Sequence, residues 1–203
     1  MNLELFGQLR KANIFRLPQF KNKQGELAHS EPDGSDWSLD DWLVAVEGEI
    51  GELANVQKKF KRGDFDRAEF DLQAGKEIAD VVIYLDIYAF QFGLDLPSPK
   101  TLDYFLKADT IAQAMVRISA TFGNLAETQL RCDGMPPEKL LRNLKPHCEK
   151  LLAWLDHYCF LINVNFEEAI VSKFNEVSER VGATVFLSNR GFYFANRGEN
   201  HGL

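Results

Sequence analysis

The feature that most constrains the fold of this chain is a pair of acidic motifs set in otherwise apolar, helix-like sequence. Glu49 and Glu52 are three residues apart, and so are Glu77 and Asp80. Residues three apart on an α-helix are surface neighbours, so each motif aims two carboxylates at one point. Two helices that lie side by side can therefore present all four carboxylates to a common ligand.

Helical periodicity predicts that these acids lie at the edge of a buried surface. At about 100° per residue, Val46 and Leu53 belong to one apolar stripe of the first helix; Glu49 falls inside that stripe and Glu52 at its edge. The second motif interrupts a helix that is apolar almost all the way round. An ionised carboxylate in such surroundings costs several kcal/mol unless a cation or a hydrogen-bond donor compensates it.

Four carboxylates in this arrangement predict a metal site. Oxygen ligands suit hard cations such as Mg²⁺. The formal net charge of −7 means that an anionic polyphosphate would be repelled without a divalent metal. We therefore expect a magnesium site that handles a polyphosphate. The alternative is that the acids are solvated or pair with Lys58, Lys59 and Lys76.

Composition limits the class of protein. The 203 residues, 45% of them hydrophobic, are typical of a globular chain, and the negative net charge argues against general nucleic-acid binding. The longest strongly apolar segment, residues 81–92, is too short to span a bilayer, and the N-terminus does not resemble a signal peptide. We expect a cytoplasmic protein with no nucleic-acid or membrane partner. Cys132, Cys148 and Cys159 are expected to be free thiols.

Periodicity and helix-end signals predict a nearly all-helical chain. Helices are expected over about residues 3–14, 38–62, 72–92, 102–131, 137–161 and 167–181. Ser38 and Asp41 form a capping-box pattern at the start of the first acidic helix. Strand signals are weak everywhere except at residues 184–187 and 191–194. Residues 17–37 read as irregular, and His29 within them is expected at the surface.

The sequence also contains an internal repeat. Residues 50–57 resemble residues 122–129, and residues 84–90 resemble residues 154–160, at nearly the same offset. The second-copy equivalents of the four acids are Thr121, Asn124, His147 and Lys150. A tandem helical duplication is predicted, in which only the first copy keeps the acidic site. Chance similarity between helical sequences is the alternative.

The acidic motifs and their flanks resemble the MazG-like all-α nucleoside triphosphate pyrophosphohydrolases. The matching segments are GELANVQKK at residues 51–59, EIADVVIYL at 77–85, DGSDWS at 33–38 and AIVSKFNEVSERVG at 169–182. The resemblance implies a MazG-like helical bundle, here built from a tandem pair of repeats. Residues 1–97 would be the catalytic repeat, 98–182 a degenerate repeat that ends in the family-like closing helix, and 183–203 a tail. Simple members lack residues 96–165.

The resemblance implies hydrolysis of a (deoxy)nucleoside triphosphate to the monophosphate and pyrophosphate. Glu49, Glu52, Glu77 and Asp80 would hold two or more Mg²⁺ ions, with Mn²⁺ as a substitute, and Glu49 or Glu52 would take the proton of the attacking water. A homodimer or higher oligomer is expected. The residues expected to contact substrate are Asn13, Trp37, Lys58, Lys59, Arg62, Lys173, Asn175 and Arg180.

Two other functions remain open at this level. A phosphoribosyl-ATP pyrophosphohydrolase would share the metal motif but act on a modified nucleotide. A non-catalytic helical interaction protein would keep the scaffold and bind partners through its second half. Retention of all four acids in the first copy argues against the interaction protein.

Overall fold

The computed structural model describes residues 5–102, 104, 106–188 and 191–195, which are predominantly helical, as predicted. A small two-stranded antiparallel sheet pairs Val185 with Phe194, in the two segments that carry the predicted strand signals. The α-helices and strands are α1 (Leu5–Arg16), α2 (Leu39–Arg62), α3 (Arg67–Phe90), α4 (Ile111–Arg131), α5 (Pro137–Ile162), α6 (Phe166–Val181), β1 (Val185–Ser188) and β2 (Gly191–Phe194).

Local capping defines the two acidic helices. The predicted capping box of α2 is present: the Asp41 amide donates to Ser38 Oγ over 3.1 Å, and the Ser38 amide donates to Asp41 Oδ2 over 2.9 Å. The helix ends at Gly63, whose φ of 82° favours glycine. Helix α3 begins at Arg67, five residues earlier than predicted, because the Asp66 side chain caps it by accepting from the Glu69 amide.

The prediction that the fourth helix starts at residue 102 is wrong. Helix α4 begins only at Ile111, because the Thr110 side chain accepts from the Gln113 amide and caps the helix there. A 3₁₀ turn at Pro99–Thr101 precedes it. Apolar residues such as Leu106 pack against the core from this connection, so their burial does not require a helix.

Four helices form a bundle around which the other elements pack. Helix α2 lies against α3 and α4, and α5 lies against α4 and α3. Helices α1 and α6 pack on the outer side of α3, and β1 contacts both of them. Helix α3 is therefore central, and most of its side chains are buried. Within the described part of the chain, the helices are too short or too polar to cross a membrane.

Two hydrogen bonds link the predicted repeats in a reciprocal way. The Tyr88 hydroxyl donates to Gln129 Oε1 over 2.5 Å, and the Tyr158 hydroxyl donates to Gln57 Oε1 over 2.9 Å. In the repeat alignment Gln129 is the equivalent of Gln57, and Tyr158 is the equivalent of Tyr88. Each copy thus gives a tyrosine to the glutamine of the other, which supports the duplication as an interpretation.

The buried acid Asp86 in the first half is compensated by neighbouring side chains. Asp86 on α3 is 1% exposed and forms an ion pair with Arg10 over 2.9 Å. Asn13 donates to the same carboxylate over 2.9 Å, so two residues of α1 compensate the acid. Cys132, Cys148 and Cys159 are free and buried, as predicted.

Candidate functional site

Three of the four predicted metal ligands converge between α2 and α3. Glu49, Glu52 and Glu77 each offer a carboxylate oxygen, and these oxygens lie within 4.8 Å of one another. Glu49 and Glu77 are half-buried and Glu52 is exposed, as expected from their angular positions. The connection at Gly63 reverses the chain, so residues from successive helices can meet in this way. The oxygens are close enough to share a divalent cation.

Burial and mutual repulsion prepare this cluster for a cation. The pKa of Glu49 is raised from 4.5 to about 7, first by burial and then by the charges of Asp80, Glu52 and Glu77. Burial likewise raises the pKa of Glu77, with further contributions from the Asp80 charge and from the Glu52 carboxyl. Carboxylates that resist ionisation together are stabilised when a cation binds among them.

The fourth predicted ligand, Asp80, pairs with the closing helix. Asp80 Oδ2 lies 2.7 Å from Lys173 Nζ, and both side chains are largely buried. Burial raises the pKa of Asp80, while Lys173, Arg180 and Arg16 oppose the rise. Asp80 is thus one turn from Glu77 and is held toward α6, outside the group of three converging glutamates.

A cavity of about 180 Å³ opens beside the carboxylates. Glu49 and Asp80 lie on its wall. The rest of its lining is largely aromatic, and Arg16 and Arg180 also line it. Pockets for whole ligands measure about 300–1,000 Å³, so this space suits one part of a larger ligand. The aromatic residues on its wall are Phe20, His29, Trp37, Trp42 and Tyr84.

The loop before α2 holds the aromatic wall in place. Gly34 has a φ of 76°, and a Cβ there would lie 2.7 Å from side-chain atoms of both Leu17 and Trp42. Its carbonyl accepts a hydrogen bond from Trp42 Nε1 over 3.0 Å. The expectation that His29 is at the surface is wrong: His29 is 7% exposed, because its ring stacks on Trp42 and its Nδ1 lies 3.2 Å from Asp36.

The structure brings three of the predicted substrate residues to this site. Trp37 and Arg180 line the cavity, and Lys173 contacts Asp80. Asn13 instead faces Asp86 in the core. The Asn175 side chain exchanges hydrogen bonds of 2.9 and 2.7 Å with the backbone of Leu187, which ties α6 to β1.

The basic end of α2 lies away from the carboxylates. Lys58, Lys59 and Arg62 are six or more residues beyond Glu52, about 9 Å or more along the helix at 1.5 Å per residue. Arg62 pairs with Asp64, and the Lys59 ammonium lies 5.4 Å from the centre of the Phe65 ring. The structure does not bring these three residues to the cluster.

Sequence reasoning missed several residues of the site, among them Tyr84 and Arg16. Tyr84 lines the cavity and lies four residues after Asp80, so the helical period could have found it. Arg16 lines the cavity from the last turn of α1 and is 2% exposed. It reaches the site through contacts with α6, more than 150 residues away in sequence, and no local pattern signals such a contact.

A larger groove of about 560 Å³ lies between α2 and α4. Its wall is mainly apolar and includes Ile50, Ala54, Phe122 and Ala126. Glu49, Glu52 and Glu77 do not line it. The smaller cavity beside the carboxylates is therefore the candidate site.

Comparisons with protein-family models, curated proteins and solved structures found no match to this chain. The chemistry of the site is therefore inferred from its own residues and from the sequence resemblance.

Proposed function

We propose that the protein is a metal-dependent pyrophosphohydrolase that cleaves a (deoxy)nucleoside triphosphate to the monophosphate and pyrophosphate. The observation that carries the proposal is the convergence of Glu49, Glu52 and Glu77 within 4.8 Å, directly beside a cavity with aromatic walls. Carboxylates suit the metal–triphosphate end of such a substrate, and aromatic rings suit its base. The resemblance to MazG-like enzymes points to the same reaction.

The donor set fits magnesium. Glu49, Glu52 and Glu77 would hold the ion or ions, with Asp80 as a fourth ligand, and Mn²⁺ accepts the same oxygen ligands. When bound, Mg²⁺ supplies charge neutralisation for the triphosphate and a more acidic water for attack on phosphorus.

The residues of the chain divide the remaining tasks. Glu49 lies at the boundary between the cluster and the cavity, where its ionised carboxylate could accept a proton from water. Lys173 and Arg180 would contact phosphate oxygens, because both lie near Asp80 at the carboxylate end of the cavity. Trp37 would stack on the base.

Replacement of one converging glutamate tests the proposal. Glu52→Ala should lower Mg²⁺-dependent pyrophosphate release by at least about 100-fold, because even groups that only support metal ligands contribute 10- to 100-fold. Glu47→Ala is the matched control: Glu47 is exposed on the same helix, about 140° away around its axis. The assay would use canonical nucleotides and phosphoribosyl-ATP with Mg²⁺ or Mn²⁺, and the α–β cleavage would be identified from the products.

The outcomes separate the candidate functions. Turnover of phosphoribosyl-ATP alone would favour the histidine-pathway type of enzyme. Absence of turnover with every nucleotide would contradict the proposal and favour a helical binding protein. Full turnover by Glu52→Ala would contradict the assigned metal site. A homodimer or higher oligomer is part of the proposal, and light scattering of the purified chain measures it directly.

A further inference from the structure

Arg16 is held rigidly at the back of the aromatic cavity. Its guanidinium lies over the Phe174 ring, with Cζ 3.5 Å from the ring centre. Nη1 donates to the Phe174 carbonyl over 2.8 Å and approaches Ser178 Oγ at 3.5 Å, and Nη2 approaches Asn13 Oδ1 at 3.4 Å. These contacts fix the plane of the guanidinium, so the direction of its Nε–H is fixed as well.

The third guanidinium nitrogen, Arg16 Nε, is buried and has no hydrogen-bond partner among the described residues. Arg10 on the same helix differs, because its Nε contacts both carboxylate oxygens of Asp86 at 3.1 and 3.2 Å. Buried donors of charged groups are nearly always paired in folded proteins, and an unpaired one requires an explanation. Since Arg16 lines the cavity, a ligand in the cavity can supply the missing acceptor.

The surroundings of Arg16 favour a base as the source of this acceptor. Arg16 lines the cavity together with Leu17, Phe20 and Trp42, and its Cζ lies 5.5 Å from the Phe20 ring centre. A flat heterocycle suits such a wall, and a carbonyl oxygen on its edge accepts hydrogen bonds in the plane of the ring. Phosphate oxygens are expected where Glu49, Glu52 and Glu77 converge, because these carboxylates would hold the metal.

We propose that Arg16 is a specificity-determining residue whose Nε–H donates to the keto oxygen at C6 of a purine or C4 of a pyrimidine. The inference rests on the proposed function and names its substrate class: nucleotides whose base carries a keto group at this position. An amino group at the same position donates hydrogen bonds and cannot accept one from Arg16 Nε, which would therefore stay unpaired. Hypoxanthine, guanine and uracil are therefore favoured over adenine and cytosine.

Two matched substrate pairs test this assignment. Deoxyinosine and deoxyadenosine triphosphates differ in the C6 group, and deoxyuridine and deoxycytidine triphosphates differ in the C4 group. In the pair that the protein turns over faster, kcat/KM should favour the keto member by at least about tenfold. Arg16→Lys removes the fixed planar donor, and the preference should fall below about threefold. Arg10→Lys, the control, alters a buried arginine outside the cavity and should keep the wild-type preference.

A binding assay separates this proposal from the hydrolysis itself. In a Trp154→Phe background, quenching of the fluorescence of Trp37 and Trp42 by the free nucleosides reports occupancy of the cavity without cleavage. Inosine or uridine should bind at least about tenfold more tightly than adenosine or cytidine, and Arg16→Lys should remove the difference. If the nucleosides bind with this preference but no pyrophosphate is released from any triphosphate, the base-binding site is supported and the proposed reaction is contradicted.

Three results would overturn the assignment. The first is equal use of the keto and amino members by the wild type. The second is an equal loss of kcat/KM for the keto and amino nucleotides in Arg16→Lys, together with weaker binding of tripolyphosphate. That result would mean that Arg16 contacts a phosphate. The third is absence of quenching by every nucleoside. Thermal unfolding of Arg16→Lys and Arg10→Lys checks that both variants are folded.

Discussion

At Glu49, burial and the neighbouring negative charges both favour the protonated carboxyl group. Its pKa is raised to about 7, with burial as the largest cause and the charges of Asp80, Glu52 and Glu77 next. A divalent cation would favour the ionised form, so below pH 7 the metal must displace a proton in order to bind. We therefore expect metal binding to weaken as the pH falls through 7 and to release a proton.

The same shift gives the metal-free protein an unusual dependence of stability on pH. Because the folded-state pKa of Glu49 lies above the ordinary 4.5, the folded state binds more protons than the unfolded state between 4.5 and about 7. The free energy of unfolding should therefore fall as the pH rises through this window. Metal-free Glu49→Gln should be about as stable as the wild type at pH 4.5 and about 1 kcal/mol more stable at pH 7.5, a figure reduced for solvent screening of a half-exposed group.

Urea unfolding in the presence of a chelator measures this effect. Glu47→Gln, at an exposed position on the same helix, should follow the wild type at both pH values. A stability difference between Glu49→Gln and the wild type that is the same at both pH values would contradict the assigned titration.

At the scale of elements, helix α6 completes the site by supplying Lys173 to Asp80 on α3. The ion pair is short, at 2.7 Å, and largely buried. Lys173→Met should lower the free energy of unfolding by about 2 kcal/mol, because it leaves the Asp80 carboxylate buried without its partner. It should also tighten Mg²⁺ binding severalfold, because it removes a positive charge from the site. Urea unfolding and calorimetric Mg²⁺ titration measure these two opposite effects.

The control lies between the same two helices. Lys76 and Glu176 pair over 2.7 Å, but their side chains are 33% and 42% exposed. Lys76→Met should change stability by no more than about 0.5 kcal/mol. If Lys173→Met weakens Mg²⁺ binding, Lys173 does not compete with the metal for Asp80.

How much of the site was predictable depended on whether the contact was local. The positions of Glu49 and Glu52 follow from the helical period, and the start of α2 follows from the hydrogen-bonding capacity of Ser38 and Asp41. Contacts between distant elements gave no such signal. Asn175 lies on the closing helix as predicted, but it binds the Leu187 backbone because β1 packs on that face.

The helix ends show the same limit. Thr110 is a good N-cap, but apolar residues just before it carried the helical pattern upstream to residue 102. Those residues pack against α5 without forming a helix. Tyr104, for example, donates a hydrogen bond to the Pro146 carbonyl over 3.2 Å. Burial and helix formation are separate properties, and a sequence pattern reports mainly the first.

At the scale of the whole molecule, the two halves of the bundle share one interior. The Tyr88–Gln129 and Tyr158–Gln57 hydrogen bonds cross it in opposite directions, and Gln129 also donates to Asp40 at the start of α2. Helices α4 and α5 therefore contact both helices that carry the acids. They complete the bundle around α2 and α3.

This arrangement predicts that the two halves unfold together. Tyr88→Phe leaves buried Gln129 short of a partner and should cost about 1–2 kcal/mol, while Tyr158→Phe should cost about 1 kcal/mol. Each should lower a single melting transition by about 2–4 °C per kcal/mol, and Mg²⁺ should raise that same transition in all variants. Tyr193→Phe, at a half-exposed position in β2, should have little effect. The contrary result would be two separate melting transitions, of which Mg²⁺ shifts one and Tyr158→Phe shifts only the other. That result would show that the halves fold independently.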